Sequence, residues 1–463
     1  MSARSRWPYA LVLVGCSSTP NAPDGGADAG TDAVEASIDA PVPVAIFAER
    51  FGDGADQVAF GAAASSDGVV ITGALSGSAD FGGGALASAG LDDVFVTKLD
   101  ASGKHVFSKR FGDADEQWAE HVAVDASGNI AVVGSMSGTI DFGGGPLVAT
   151  GGRDVFVAVF DASGAHRWSK SFGSDGTNED GWSVAFDPSG DVLVTGGAEG
   201  AIDFGCGAPS PEGEQSIFVA KLDPKGACVF SRRVGDPEEQ IGFAIGSDAA
   251  GDVLVTGRFE GTIDFGAGPM TAALRDAFVA AWDPSGNILF SRSFGDPSGN
   301  GMAEGRGVVA MASGVVVVGK FSGVLDGLTS AGDTDVFVIG LDAKGVARFE
   351  RRYGDPTFQN AFSIAPDGAD TFLASGDFAG ALDFGSTKLV ARAHDGWVAR
   401  FDAKTGDATS AWSLGGGGDV IAWSVAKSTG PIFVAGSFDG PLDFGGITLV
   451  SSGGTDVFAG ALP

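Results

Sequence analysis

Seven side chains stand at one register of a pattern that recurs along this chain: Phe60, Glu120, Trp182, Phe243, Arg306, Phe362 and Trp423. Five are aromatic, and such rings either pack in a core or offer faces on which sugar rings or peptide can stack. Packing between neighbouring units is the reading that large apolar residues ordinarily support. Glu120 and Arg306 break the pattern, and a charge in such a place needs a partner, water or a ligand. With Trp182 and Trp423 they are the candidate ligand-binding residues. Gln57, Gln117, Gln240 and Gln359 recur three residues earlier, which points to repeated backbone hydrogen bonding rather than to a single site.

Other groupings that look like chemistry carry less. The four histidines are His105, His121, His166 and His394, with no His-Glu-x-x-His and no Gly-x-Ser-x-Gly in the chain. Neither a metalloprotease helix nor a hydrolase elbow can be assembled, and no catalytic residue is assigned. Gly314-Val-Val-Val-Val-Gly319-Lys320 falls one residue short of a phosphate-binding loop, because Phe321 stands where Ser or Thr must hold magnesium. Six copies of Asp-Phe-Gly accompany no other kinase part, so their repetition marks a structural turn. The loops around Asp113–Glu116, Asp175–Asp180 and Asp236–Glu239 cluster the oxygens that a hard cation takes, without the spacing of an EF-hand. Solvated acidic turns are expected there. Calcium is the one cofactor these loops would suit, and no metal ligand is assigned. Cys206 and Cys228 could bridge in an oxidising compartment. Cys228 follows a turn that would lie at the opposite end of its unit from Cys206, so the pairing stays open.

These positions are held in register by a unit repeated seven times. An aromatic-Gly or related pair opens each copy at Phe51, Phe111, Phe172, Val234, Phe294, Tyr353 and Leu414, spaced 60, 61, 62, 60, 59 and 61 residues apart. Asp-Phe-Gly starts at Asp80, Asp141, Asp203, Asp264, Asp383 and Asp443, with a degraded copy at Asp326. A third landmark, Asp-Val-Phe or a relative, begins at Asp93, Asp154, Ser216, Asp276, Asp335, Asp395 and Asp456. A fixed period dictates architecture before any residue-level reading.

Within residues 111–171 the apolar pattern has period two or forms short runs, never the helical period. Strands are expected at Trp118–Val124, Ile130–Ser135, Asp154–Phe160 and His166–Phe172, with Asp-x-x-Gly turns after the first and third. Residues 139–153 form a long connection or a short outer strand. Four antiparallel strands repeated seven times describe an all-β, seven-bladed propeller. The last copy stops after its third strand, and Ala45–Phe51 reads as a spare fourth strand. The N-terminal strand is therefore expected to complete the seventh blade and close the ring, removing the exposed edges of an open stack.

The flanks and composition bear on location. Arg4 and Arg6 precede a short apolar run, Trp7 to Val14, in the manner of an export signal. Leu13-Val14-Gly15-Cys16 resembles the lipobox of bacterial lipoproteins, which implies a signal at 1–15 and a lipid-modified Cys16. The alternative is an ordinary secretory signal with an unrelated Cys. Residues 17–43 are rich in Ser, Ala, Gly, Pro and Asp and read as a disordered tether, so 16–43 links the lipid to a propeller at 44–463. No run of 18 apolar residues exists, so membrane contact is expected through the lipid alone. The formal charge of −31 repels phosphate backbones and argues against nucleic acid.

The runs "VAVDASGNIAVVGSMSGTIDFG" and "DVFVAVFDASGAHRWSKSFG" resemble the SBBP-type repeats of bacterial seven-bladed propellers, often exported or lipid-anchored. The resemblance spans residues 44–463 and implies the fold, but no common catalytic residues. The expected protein is a monomeric envelope lipoprotein, anchored at the outer membrane. It presents a propeller face to an envelope protein or polysaccharide, and it is not an enzyme. The alternative is a polysaccharide lyase or hydrolase with its site at the central channel mouth.

Overall fold

A computed structural model describes residues 43–207, 215–385 and 387–463. The expected leader, Cys16 and the tether as far as residue 42 lie outside them. Each repeat forms one sheet of four antiparallel strands in chain order, as in blade 2: Gln117–Val124, Ile130–Met136, Asp154–Phe160 and His166–Phe172. Seven such sheets form a ring in which each first strand touches the first strands of both neighbours. The first strands line the axis and the fourth lie outermost. No helix occurs among the described residues.

The ring closes as the chain ends require. Phe47–Phe51 pairs antiparallel with Asp456–Leu462, Phe47 facing Ala461 and Phe51 facing Val457. At all seven junctions the amide opening a first strand donates to the carbonyl just before the preceding blade's third strand, 2.7 Å for Gln57 to Thr455 and 2.8 Å for Val420 to His394. The closing junction thus uses the same bond as the other six. On the opposite face of the ring, a fourth-strand aromatic covers the turn glycine of the next blade: Phe107 covers Gly164, and Phe47 covers Gly103 across the closure.

The three landmarks recur because they meet. Asp93, at the start of a third strand, is fully buried, and Arg110 Nη1 donates to its Oδ2 at 2.7 Å. A Cβ on Gly112 would lie 2.0 Å from Asp93 Oδ1, so only glycine fits beside the carboxylate. Arg50 with Asp456 and Arg352 with Asp335 repeat the pair at 2.9 and 2.8 Å. Phe111, ending blade 1, packs at 4.9 Å on Phe142 of the Asp-Phe-Gly turn in blade 2, and Phe142 packs at 5.0 Å on Phe156 of that blade's third strand. Each copy therefore grips the next through its own signature residues.

The segment 139–153 is neither a bare connection nor one strand but a two-stranded ribbon, Thr139–Ile140 with Leu147–Val148. Five other blades carry the same ribbon. Asp141 Oδ1 accepts from the amides of Gly143 and Gly145, so Asp-Phe-Gly caps the ribbon's turn. The recurring glutamines bond backbone, as expected: Gln117 Oε1 accepts from the Asp113 amide at 3.0 Å, and its Nε2 donates to the Ser137 carbonyl at 2.7 Å. Asp113 itself accepts from the amides of Asp115 and Thr139 and from Gln117 Nε2. Its oxygens brace the start of its own blade, while Asp115 on the same turn stands exposed as expected. Among the described residues no group of three or more His, Cys, Asp or Glu is placed to hold a metal ion.

Gly112 has φ near 150° as well as the carboxylate against it. Gly112→Ala is expected to cost about 2–4 kcal/mol in urea unfolding. The double variant with Asp93→Ala should recover part of that loss, because one of the two clash partners has gone and Gln117 Oε1 remains. Strictly additive costs would show that the two residues do not oppose each other.

Candidate functional site

The register position that varies chemically is also the one the backbone singles out. Every first strand carries a β-bulge there, with pairing shifted between Ala59 and Gly61, Ala119 and His121, Gly181 and Ser183, Gly242 and Ala244, Gly305 and Gly307, and Ala361 and Ser363. In blade 7 the shift spans Ile421 to Ser424. A bulge leaves one residue outside the ladder and re-aims its side chain. The residues skipped are Phe60, Glu120, Trp182, Phe243, Arg306 and Phe362, with Trp423 inside the last bulge. Because first strands surround the axis, the seven side chains form a ring about the central channel.

The rings do touch from blade to blade, but at the channel wall rather than deep between sheets. Trp423 packs on Phe60 at 5.6 Å and on Phe362 at 4.6 Å, joining blades 6, 7 and 1. Trp182 meets Phe243 edge-on at 5.3 Å, and the Arg306 guanidinium lies 3.8 Å over Phe243. Of the five aromatics only Phe243 is buried; the others keep partial exposure. The expectation of simple interblade packing is corrected to that extent.

Glu120 is partly buried and accepts a 2.7 Å hydrogen bond from Trp118 Nε1. Loss of solvation pushes its carboxyl up to about 8; Asp180 adds to the rise, while the Trp118 bond and the charge of Arg306 oppose it. Glu120 lies in blade 2 and Arg306 in blade 5, so the Arg306 charge is felt across the channel.

Around them runs a rim of charge that the repeat pattern had not flagged. Arg153 grips Asp180 through two nitrogens, at 2.9 and 3.0 Å, and Ser135 donates to the same carboxylate. In blades 4 and 5 Arg258, Arg275, Arg306 and Lys320 all lie within 4 Å of the buried Glu304. Burial pushes the Glu304 carboxyl up, but Arg306, Lys320 and Arg258 together hold it well below the usual range. Burial likewise depresses the Lys320 ammonium, which Glu304 and Asp377 only partly offset. In blade 6 Asp377 accepts from Asn360 Nδ2 at 2.8 Å and pairs with His394 Nε2 at 2.6 Å. Burial pulls the His394 imidazole down, yet the bond to Asp377 and the charges of Asp377, Asp419 and Asp395 raise it overall.

A repeat alignment held the signal for this rim. Trp118, Asp180, Glu304 and Asn360 share the register two residues before the bulge, and Ser135, Arg258, Lys320 and Asp377 lie opposite that register on second strands. Lys320, dismissed as part of a false phosphate loop, is one of these. His121 serves the scaffold: its Nδ1 lies 3.0 Å from the Val184 carbonyl of the next blade, and burial lowers its pKa. Cys206 and Cys228 are bridged, their Cα atoms 5.7 Å apart. The expected obstacle does not exist, because the Asp-Phe-Gly turn folds back onto the start of the fourth strand.

No family model matches the chain. The regulatory protein FlaEY of Caulobacter vibrioides (strain ATCC 19089 / CIP 103742 / CB 15) is 24% identical over 295 residues, which are 59% of this chain and 30% of that protein. The chain thus spans less than a third of that relative's length. Among solved structures, the quinohemoprotein alcohol dehydrogenase ADHIIG of Pseudomonas putida HK5 superposes with a TM-score of 0.43 at 11% identity, over 92% of this chain and 77% of that one. A europium-containing methanol dehydrogenase gives 0.36 at 10%, over 81% and 72%. Both are enzymes, and the expectation that this chain is not an enzyme is corrected accordingly. At such identities and TM-scores no reaction or cofactor passes from them to this chain.

The Glu120 carboxyl keeps its proton in the folded chain up to about pH 8, whereas an ordinary one loses it near 4.5. Between these values the folded state binds more protons, so the Glu120 contribution to stability falls as pH rises. Melting curves from pH 5 to 9 should therefore decline less steeply for Glu120→Gln than for the parent. Parallel curves would place the Glu120 carboxyl in water.

Proposed function

We propose that this chain is a ligand-binding propeller of the bacterial envelope, of SBBP-repeat type, that holds a polysaccharide at one mouth of its central channel. In this reading a lipid on Cys16 fixes the protein to the outer membrane, residues 17–43 hold the ring clear of the bilayer, and the ring acts as a monomer. The lipobox-like residues before Cys16 and the composition of the tether support the location.

One observation carries the binding reading. Positions that serve the scaffold repeat their residue from blade to blade, as the buried Asp, the turn Gly and the glutamines do. The bulge position does not repeat: it presents four partly exposed rings, one buried ring, an acid and a guanidinium to a shared channel. Rings beside charged hydrogen-bonding groups suit a pyranose, whose apolar face stacks while its hydroxyls bond. A second reading is favoured by Glu120. A carboxyl that stays protonated near neutrality, beside an indole N–H donor, suits a general acid in glycoside cleavage.

Capture of envelope polysaccharides by the full chain, read by intrinsic tryptophan fluorescence and calorimetry, tests both. Trp182→Ala and Trp423→Ala are each expected to weaken capture about tenfold. Unchanged affinity in both variants would remove the channel from the site. New reducing ends that appear with the parent and are lost with Glu120→Gln would move the function to the enzyme. Retention of a Cys16→Ser variant in the membrane fraction would refute the lipid anchor.

A further inference from the structure

We propose that the channel wall of blades 4 and 5 binds the carboxylate of an acidic sugar, a uronate unit of an anionic polysaccharide, between Lys320 and Arg306. The proposal rests on the channel mouth being the binding site and adds the chemical class of what binds there.

The argument is a count of charge and of hydrogen-bond acceptors. Glu304 Oε1 accepts from Arg258 Nη1 at 2.7 Å, and Glu304 Oε2 accepts from Arg306 Nη2 at 2.6 Å and Nε at 3.0 Å. Arg258 and Arg275 have further carboxylates in Glu239 and Glu260, at 2.9 and 2.7 Å. Among the described residues Arg306 and Lys320 have only Glu304 within ion-pair distance. The Lys320 ammonium lies 3.7 Å from Glu304 Oε2, beyond hydrogen-bond reach of an oxygen already occupied by Arg306. Four cations thus share three carboxylates on this wall.

Two further acids act on this wall, but among the described residues neither hydrogen-bonds Lys320. Asp377 acts on Lys320 only through space, its own oxygens being held by Asn360 and His394. Glu120 faces Arg306 across the channel but carries its proton at neutral pH. Lys320 is thus left, on a partly buried wall, with no carboxylate within hydrogen-bond reach among the described residues. An ammonium and a planar guanidinium side by side accept a carboxylate with little rearrangement. The Phe243 ring under Arg306 sets an apolar face beside the charge. A carboxylate attached to a pyranose meets both.

The test is calorimetric titration of the full chain at pH 7 with tetragalacturonate, free galacturonate and a neutral galactose tetramer. The acidic tetramer is expected to bind about tenfold more tightly than the neutral one, and the free monomer more weakly than the tetramer. Lys320→Gln should abolish the preference and Lys320→Arg should keep it, which separates lost charge from lost folding. Equal affinity for both tetramers, or a preference intact in Lys320→Gln and Arg306→Gln, overturns the proposal and leaves the channel a site for neutral sugar. Binding of neither tetramer, with capture of envelope polysaccharide unaffected by Trp182→Ala and Trp423→Ala, removes the proposal and the channel site together.

Discussion

Five residues near the start of the described chain pair edge to edge with a strand at its very end, and the architecture depends on that contact. A blade touches only its neighbours, so an open row of seven would expose the inner face of its first blade and of its last. Pairing of Phe47–Phe51 with Asp456–Leu462 puts the seventh blade's outer strand in place. The bond from Gln57 to the Thr455 carbonyl and the seat of Phe47 on Gly103 then set blade 7 against blade 1.

Closure also makes the channel a site rather than a gap. Glu120 and Arg306 belong to blades 2 and 5 and share no sheet, yet the Arg306 charge reaches the Glu120 carboxyl because the ring brings their strands to a common axis. The bulges supply the rest. Were the first strands regular, the variable residue would stay in the ladder and alternate with its neighbours; the extra residue turns it inward instead. The charged rim uses a different device, pairing each first strand with its own second strand, so that Glu304 lies opposite Lys320 and Asn360 opposite Asp377.

The scaffold and the site keep their chemistry apart. Scaffold carboxylates such as Asp93 and Asp113 spend their oxygens on backbone amides, a glutamine or an arginine of the same blade. Several channel groups also meet residues of other blades: Arg153 holds Asp180, Arg258 holds Glu304, and Trp423 lies between two phenylalanines. A change in the first set acts on a fold repeated seven times. A change in the second acts on one mouth.

How much of this could be read from the chain follows from what repeats. Period, landmarks, a strand missing from the last copy and a spare one at the start were enough for seven four-stranded blades and their closure, because strand periodicity and Asp-x-x-Gly turns are local properties. The variable register with Glu120 and Arg306 was visible too, by its failure to repeat. Tertiary structure alone decided that this register is bulged toward the axis, that blades 2 and 5 face each other across it, and that Lys320 joins Glu304 there. It also decided the Cys206–Cys228 bridge, since the fold-back of the Asp-Phe-Gly turn has no counterpart in spacing. Local hydrogen bonding writes itself into sequence once per strand. Distances across a ring exist only after the ring has closed.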